Sequence, residues 1–235
     1  MNSRKKRINN PDFAPRGIAE GISLSLVNAI LNGTLQGGEQ LTEVELQEEF
    51  GVSRSPVREA LRDLEKKGLV VLKPRRGAFV KAVTQKDIRE NFRVRSVLEG
   101  LAAKEAYEKV TRTDITQMEK ICRKMEKAAK NNDVPAYWEL HNAFHNVYLK
   151  ACENHLLIDI VENLRMHNLW YRHSGQYYEK DLQEDFLPHL EIMGYFKKKR
   201  ISEKTIENVV RKHIELGLKD FVAYMDKIRP PGKKP

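Results

Sequence analysis

Apolar positions along this chain fall into helical stripes almost everywhere, with one short interruption by a strand-like pattern. Ile22, Leu26, Ala29 and Ile30 recur at the three- and four-residue steps of an amphipathic helix. Thr42 is placed to cap a short second helix ending at Phe50, with Glu45 completing a capping-box pattern and Gly51 opening a tight turn. Ser53 stands where a cap belongs, and Pro56 falls in the first turn of a third helix running to about Lys67. Val57, Ala60, Leu61 and Leu64 make its buried stripe, while Arg54, Arg58 and Arg62 line another face. After Gly68 the period shortens. Leu69 to Leu72 is β-rich, Lys73-Pro74-Arg75-Arg76-Gly77 reads as a turn, and Ala78-Phe79-Val80 returns. Helix, turn, helix and basic-tipped hairpin, in that order, predict a winged helix-turn-helix.

From Thr84 onward the stripes are helical throughout, with few Gly or Pro. Breaks near Thr111, Asn131-Asn132-Asp133, Asn154, Ser174-Gly175 and Ile201-Ser202 predict helices over 85–109, 112–130, 134–152, 155–173, 178–199 and 202–226. The fold class is mainly α: an N-terminal winged helix-turn-helix and a C-terminal antiparallel all-α bundle of about six helices. The expected divisions are a flexible basic arm at 1–15, a DNA-binding domain at 16–82, a helical domain at 83–229 and a tail at 230–235.

A length of 235 residues agrees with two modest domains. Two cysteines, Cys122 and Cys152, make neither a disulfide framework nor a metal-like spacing. No run approaches the roughly 18 apolar residues of a spanning helix, so no membrane partner is expected. Arg4 to Arg7 followed by Gly17 to Leu31 imitates a secretory leader, but Glu20, Asn28 and several serines interrupt it, and a cytoplasmic location is expected.

Charge changes the picture more than composition does. The net charge of +9 hides a segregation: residues 39–49 carry five acids and no base, whereas 54–76 carry eight bases against three acids. The basic block coincides with the third helix and the hairpin tip, the parts that reach base edges and phosphates in helix-turn-helix proteins. The bland alternative is a small helical domain with a solvated basic face. The arm Arg4–Arg7 either adds nonspecific phosphate affinity or merely solvates the terminus.

Gly51-Val52-Ser53-Arg54-Ser55-Pro56-Val57-Arg58-Glu59-Ala60-Leu61, with Leu64, Gly68-Leu69-Val70 and Arg76-Gly77-Ala78-Phe79-Val80, resembles the winged helix-turn-helix of the GntR family of bacterial transcription regulators. The resemblance implies that Arg54, Ser55 and Arg58 contact bases or nearby phosphates and that the Gly77 wing enters a minor groove. Ser53, Arg75 and Arg76 complete the expected DNA-contacting set. Two positions depart from the family pattern: Gly37-Gly38 stands for the usual Pro-Gly, and Val44 replaces an arginine found in some members. The family also implies a homodimer on a palindrome-like operator.

In the helical region, polar residues interrupt apolar stripes. Trp138, His141, His145, Tyr148 and Cys152 follow one another at steps of three or four, as do Phe186, His189, Met193 and Phe196, and Ile206, Val209, His213 and Leu216. His141, His145, His189 and His213 thus point inward from three helices, as ligands of a metal such as Zn²⁺ or Ni²⁺ or as hydrogen-bonded core histidines. His155 has a weaker claim. So do His167 and His173, which flank Trp170 and Tyr171 and would otherwise line a pocket. Phe144-His145, with His189 and His213, resembles the helical (FCD-like) effector-binding domain of the FadR-type branch, which holds a metal through an Asp and three His. His141 stands where that Asp usually is. An all-nitrogen set would favour Zn²⁺ or Ni²⁺ over Mg²⁺ or Mn²⁺. Arg93 to Glu99 resembles that domain's first helix, whose inward Arg meets an anionic ligand. Arg95 is therefore a candidate for a small carboxylate effector, or half of an i, i+4 pair with Glu99, and Arg165 is a second candidate. The expected function is a DNA-binding transcription regulator, not an enzyme. A metal-sensing regulator and a metal-dependent helical-bundle enzyme remain the alternatives.

Overall fold

The computed structural model describes residues 17–174 and 181–228, the side chains of 167–174, 220, 221 and 223–228 excepted. The basic arm and the C-terminal tail lie outside the described residues. Two compact units are present, one formed by the described residues to Thr84 together with Met166 onward in the seventh helix, the other by the remainder.

The first unit runs α1 (Ile18–Leu31), β1 (Gln40–Leu41), α2 (Glu43–Phe50), α3 (Arg54–Lys66), β2 (Val70–Lys73) and β3 (Gly77–Val80). Ile22, Leu26 and Ile30 of α1 are buried, as are Leu61 and Leu64 of α3, where the amphipathic stripes of the two helices pack together. Beside that seam Ser23 donates to Asp63, and Lys67 Nζ donates to the same carboxylate at 2.5 Å. The strands form an antiparallel sheet in the order β1-β3-β2, with Gln40 opposite Phe79 and Lys73 opposite Gly77. Gly51 ends α2 at φ 65°, a left-handed conformation that a Cβ disfavours, and so makes the tight turn into α3. Ser53 precedes α3 with no side-chain cap hydrogen bond, which corrects its expected capping role. β1 is a third strand that the hairpin pattern does not predict.

The second unit contains α4 (Gln85–Ala106), α5 (Arg112–Lys130), α6 (Val134–Ala151), most of α7 (His155–Ser174), α8 (Leu182–Lys198) and α9 (Glu203–Ile228). Thr111 and Asp114 form a reciprocal capping box at α5, and Asp133 and Asp181 cap α6 and α8. The start expected for α8 at 178 lies outside the described residues. α5 packs on α6 and α8, α4 on α6 and α9, and α8 on α9. Gly100 lets α4 approach α9 closely, because a Cβ there would meet the Glu207 carbonyl oxygen at 2.9 Å. Met118, Met125, Phe144, Leu149, Ile192, Phe196 and Ile206 fill the core between the helices. On α9 Ile206, Val210 and Ile214 are buried, Val209 packs partly buried against the core and His213 joins the other three histidines, while Leu216 is 46 % exposed, so of the expected stripe Ile206, Val209, His213 and Leu216 only Leu216 is corrected.

Candidate functional site

In the first unit the turn at Gly51 delivers the N-terminus of α3 to the surface, with Ser53, Arg54, Ser55 and Arg58 all exposed. Both arginines converge on Glu43 at the start of α2. Arg54 Nε donates to one carboxylate oxygen, and Arg58 Nε donates to the other at 2.9 Å. The Arg54 hydrogen bond, reinforced by Arg58, holds the Glu43 carboxyl below its usual range against the opposing effect of burial. Exposed pairs of this kind add little stability, but they fix where the guanidinium groups stand. Glu43 was legible in sequence only as one of five acids; its role comes from the fold, which sets α2 beside α3.

At the wing, the Arg76 amide donates to the Lys73 carbonyl at 3.0 Å, closing the turn with Pro74 and Arg75 at its centre. Arg75 has φ 61°, an unusual conformation for a residue with a Cβ. Gln40 Nε2 donates to the Arg76 carbonyl at 2.7 Å, so β1 holds the base of the wing. Lys73 lies over the Phe79 ring at 4.5 Å, leaving Arg75 and Arg76 at the exposed tip beside Gly77.

In the second unit His141 and His145 come from α6, His189 from α8 and His213 from α9, each offering a ring nitrogen within 4.8 Å of the others. Phe144 packs edge-on to His145 and His189 at 5.7 and 5.3 Å. His145 Nε2 and His189 Nε2 are 3.3 Å apart. Neither nitrogen has a proton to offer the other. His189 Nδ1 lies 3.0 Å from the Asp185 carbonyl, which can only accept, so the proton sits on Nδ1. His145 Nδ1 lies 2.7 Å from the Tyr148 hydroxyl and 3.4 Å from Glu99 Oε2. Tyr148 spends its own proton on Glu99, at 2.9 Å, so His145 also carries its proton on Nδ1. Two lone pairs therefore face one another in a buried site.

Protonation does not relieve this conflict. Burial and the neighbouring His145 push His189 down to about 3, and burial also lowers His145 despite the favourable contact with Glu99. The near contact of His145 with Glu99 is accordingly a neutral N–H meeting a carboxylate rather than an ion pair. A divalent cation removes the repulsion. For tetrahedral Zn²⁺ with bonds of about 2.0–2.1 Å, neighbouring ligand nitrogens stand about 3.4 Å apart, close to the His145–His189 separation. The donor set fits a borderline transition metal.

Burial opposes ionisation of Glu99, but Arg165, the His145 contact and Arg95 hold its carboxyl well below the ordinary range. Arg165 clasps it with two donors, Nε at 3.0 Å and a terminal nitrogen, while its other terminal nitrogen donates to Asn146 Oδ1 at 2.6 Å. Arg95 Nε stands 3.4 Å from the same carboxylate, and its guanidinium lies 4.4 Å from the Phe92 ring centre. Both expected anion-binding arginines are thus inside the unit and both rest on Glu99, so for Arg95 the i, i+4 pair is present. Of the weaker candidates, His155 is exposed. The side chains of His167, His173, Trp170 and Tyr171 lie outside the described residues.

Residues 18–80 match the model of the family described as bacterial regulatory proteins, gntR family, and residues 90–216 match the FCD domain. The chain belongs to the GntR family. Its similar relatives include the uncharacterized HTH-type transcriptional regulator YdhC of Bacillus subtilis, 35% identical over 140 residues, which cover 59% of this chain and 62% of that protein. The HTH-type transcriptional repressor RspR of Escherichia coli is 29% identical over 136 residues, 58% of this chain and 60% of its own length. The chain therefore spans about three-fifths of the curated relatives it matches. The solved structure of E. coli McbR/YncC superposes with a TM-score of 0.74 at 20% identity, covering 88% of this chain and 98% of that one. A putative GntR regulator from Rhodococcus sp. RHA1 gives 0.70 at 18%, covering 87% and 97%. These structures share the mainly helical fold with its small sheet. The families and relatives of this GntR chain are transcriptional regulators, not enzymes. Among the described residues no helix is long and apolar enough to cross a membrane.

Proposed function

We propose that this GntR-family chain is a sequence-specific DNA-binding transcription regulator whose helical domain senses a small carboxylate with the help of a bound metal. The observation that carries the DNA-binding part is the exposed pair Arg54 and Arg58, held at the start of α3 by one carboxylate. Their outer guanidinium nitrogens are left for guanine edges or phosphates, with Ser53 and Ser55 beside them. Arg75, Arg76 and Gly77 at the wing tip reach the neighbouring minor groove or backbone. A homodimer would carry two such heads to half-sites about one helical turn apart, on a palindrome-like operator, and the site of action is the cytoplasm.

His141, His145, His189 and His213 would hold the metal, with Zn²⁺ or Ni²⁺ favoured by four imidazole donors. Bound there, the ion would supply a Lewis-acidic position for a carboxylate oxygen. Around it the guanidinium groups of Arg95 and Arg165 lie against Glu99 and are the candidates to meet an anionic effector. Such an effector must bind the DNA-competent and DNA-incompetent states with different affinity, or nothing switches. A closed four-imidazole site favours a second reading, in which the ion itself is the signal. DNA binding with and without a chelator separates the two.

The test is selection of duplexes from a random pool, followed by anisotropy titration of the enriched site. The wild type is expected to enrich a palindrome-like sequence. Arg58→Ala is expected to lose specific binding while keeping its circular dichroism spectrum and metal content. Tight sequence-specific binding by Arg58→Ala would contradict the proposed docking.

A further inference from the structure

His145 has two ring nitrogens with opposite tasks. Nε2 faces the other histidines of the cluster, and Nδ1 faces Tyr148 and Glu99. We infer that Tyr148, backed by Glu99, is a positioning residue that locks His145 as its Nδ1–H tautomer and so presents the Nε2 lone pair to the metal. The inference rests on the metal-centre reading above.

The lock is built from contacts that each leave one choice. Arg165 grips both oxygens of Glu99, so the carboxylate cannot rotate away. Tyr148 donates its only proton to that fixed carboxylate at 2.9 Å. Its oxygen is then an acceptor toward His145 Nδ1 at 2.7 Å, and Glu99 Oε2 at 3.4 Å is another acceptor. An unprotonated Nδ1 would face two oxygens with no proton between, which the buried site would not tolerate. The Tyr148 ring is itself held, fully buried and stacked on Phe196 with centroids 5.7 Å apart and planes 17° from parallel. In metal sites the partner of the second ring nitrogen fixes tautomer and orientation, and its loss typically weakens metal binding about 10–100-fold.

The sequence offers a partial sign of this. Tyr148 lies three residues after His145, on the same face of α6, but Glu99 is 49 residues distant from Tyr148 and is brought in by the packing of α4 on α6.

The test uses the full chain without a His tag, wild type and Tyr148→Phe, which keeps the ring stacking on Phe196. Zn²⁺ affinity is measured by competition with a chromophoric chelator, and the His145 tautomer by long-range ¹H–¹⁵N NMR of the metal-free protein. The expected result is Nδ1–H in the wild type, a mixture of tautomers in Tyr148→Phe, and a Zn²⁺ Kd weaker by about 10–100-fold. A Tyr148→Phe protein that keeps both its tautomer and its Zn²⁺ affinity overturns the inference while leaving the metal centre standing. A wild type that binds no Zn²⁺ overturns the metal reading, and the tautomer measurement still decides the lock. If Tyr148→Phe does not fold, an Nε2–H tautomer in the wild type is the contradicting result and Nδ1–H the supporting one.

Discussion

At the scale of single residues, hydroxyls of the same kind do different work. Thr42 Oγ1 accepts from the Glu45 amide at 3.2 Å, whereas Ser53 makes no cap hydrogen bond. Thr42→Ala is expected to destabilise the fold by about 1 kcal/mol and Ser53→Ala by less than about 0.5 kcal/mol, measured by urea unfolding. Equal losses would contradict this assignment. Arg75 presents the reverse case, a backbone conformation that its side chain disfavours. Relief of that strain offsets the added chain entropy of a glycine, so Arg75→Gly is expected to unfold within about 0.5 kcal/mol of the wild type. Its DNA affinity should nevertheless fall, with the salt dependence shallower by about one phosphate contact. An unchanged salt slope would remove Arg75 from the proposed interface.

At the scale of elements, local pattern was enough where a helix or hairpin depends on its own residues. The stripe Val57, Ala60, Leu61 and Leu64 is buried as expected, and Gly51 and Gly68 both adopt positive φ where α2 and α3 end. β1 was not legible, because two residues carry no period and Gln40–Leu41 becomes a strand only by pairing with β3. The core-facing side of α9 is likewise broader than a single line of spacing suggests. Val209 and Val210 are adjacent and equally apolar, and Val210 is buried while Val209 packs partly buried against the core; the helix also packs along α4. Gly100 marks that contact. Gly100→Ala would set a Cβ 2.9 Å from the Glu207 carbonyl oxygen and force α4 from α9, at an expected cost of about 1–3 kcal/mol by chemical denaturation. Stability equal to the wild type would mean that the two helices are not so closely held.

At the scale of the whole molecule, the four histidines were legible because each interrupts an apolar stripe, and the structure brings their nitrogens within 4.8 Å of one another. What the sequence withheld is the surrounding charge. Glu99, Arg165 and Asn146 lie on three different helices, and although Arg95–Glu99 is legible as an i, i+4 pair, no local spacing announces that Arg165 meets the same carboxylate. The same holds in the first unit, where Glu43 reaches Arg54 and Arg58 across a turn. In both units charge is fixed by an internal carboxylate before any partner arrives. The facing lone pairs of His145 and His189 are the feature that a bound cation explains best, and the central claim is that a metal belongs there. Elemental analysis of the tag-free protein tests it most directly. About one Zn or Ni per chain, lost in His145→Ala, is the expected result. A wild-type protein that holds no transition metal even after reconstitution would contradict the claim.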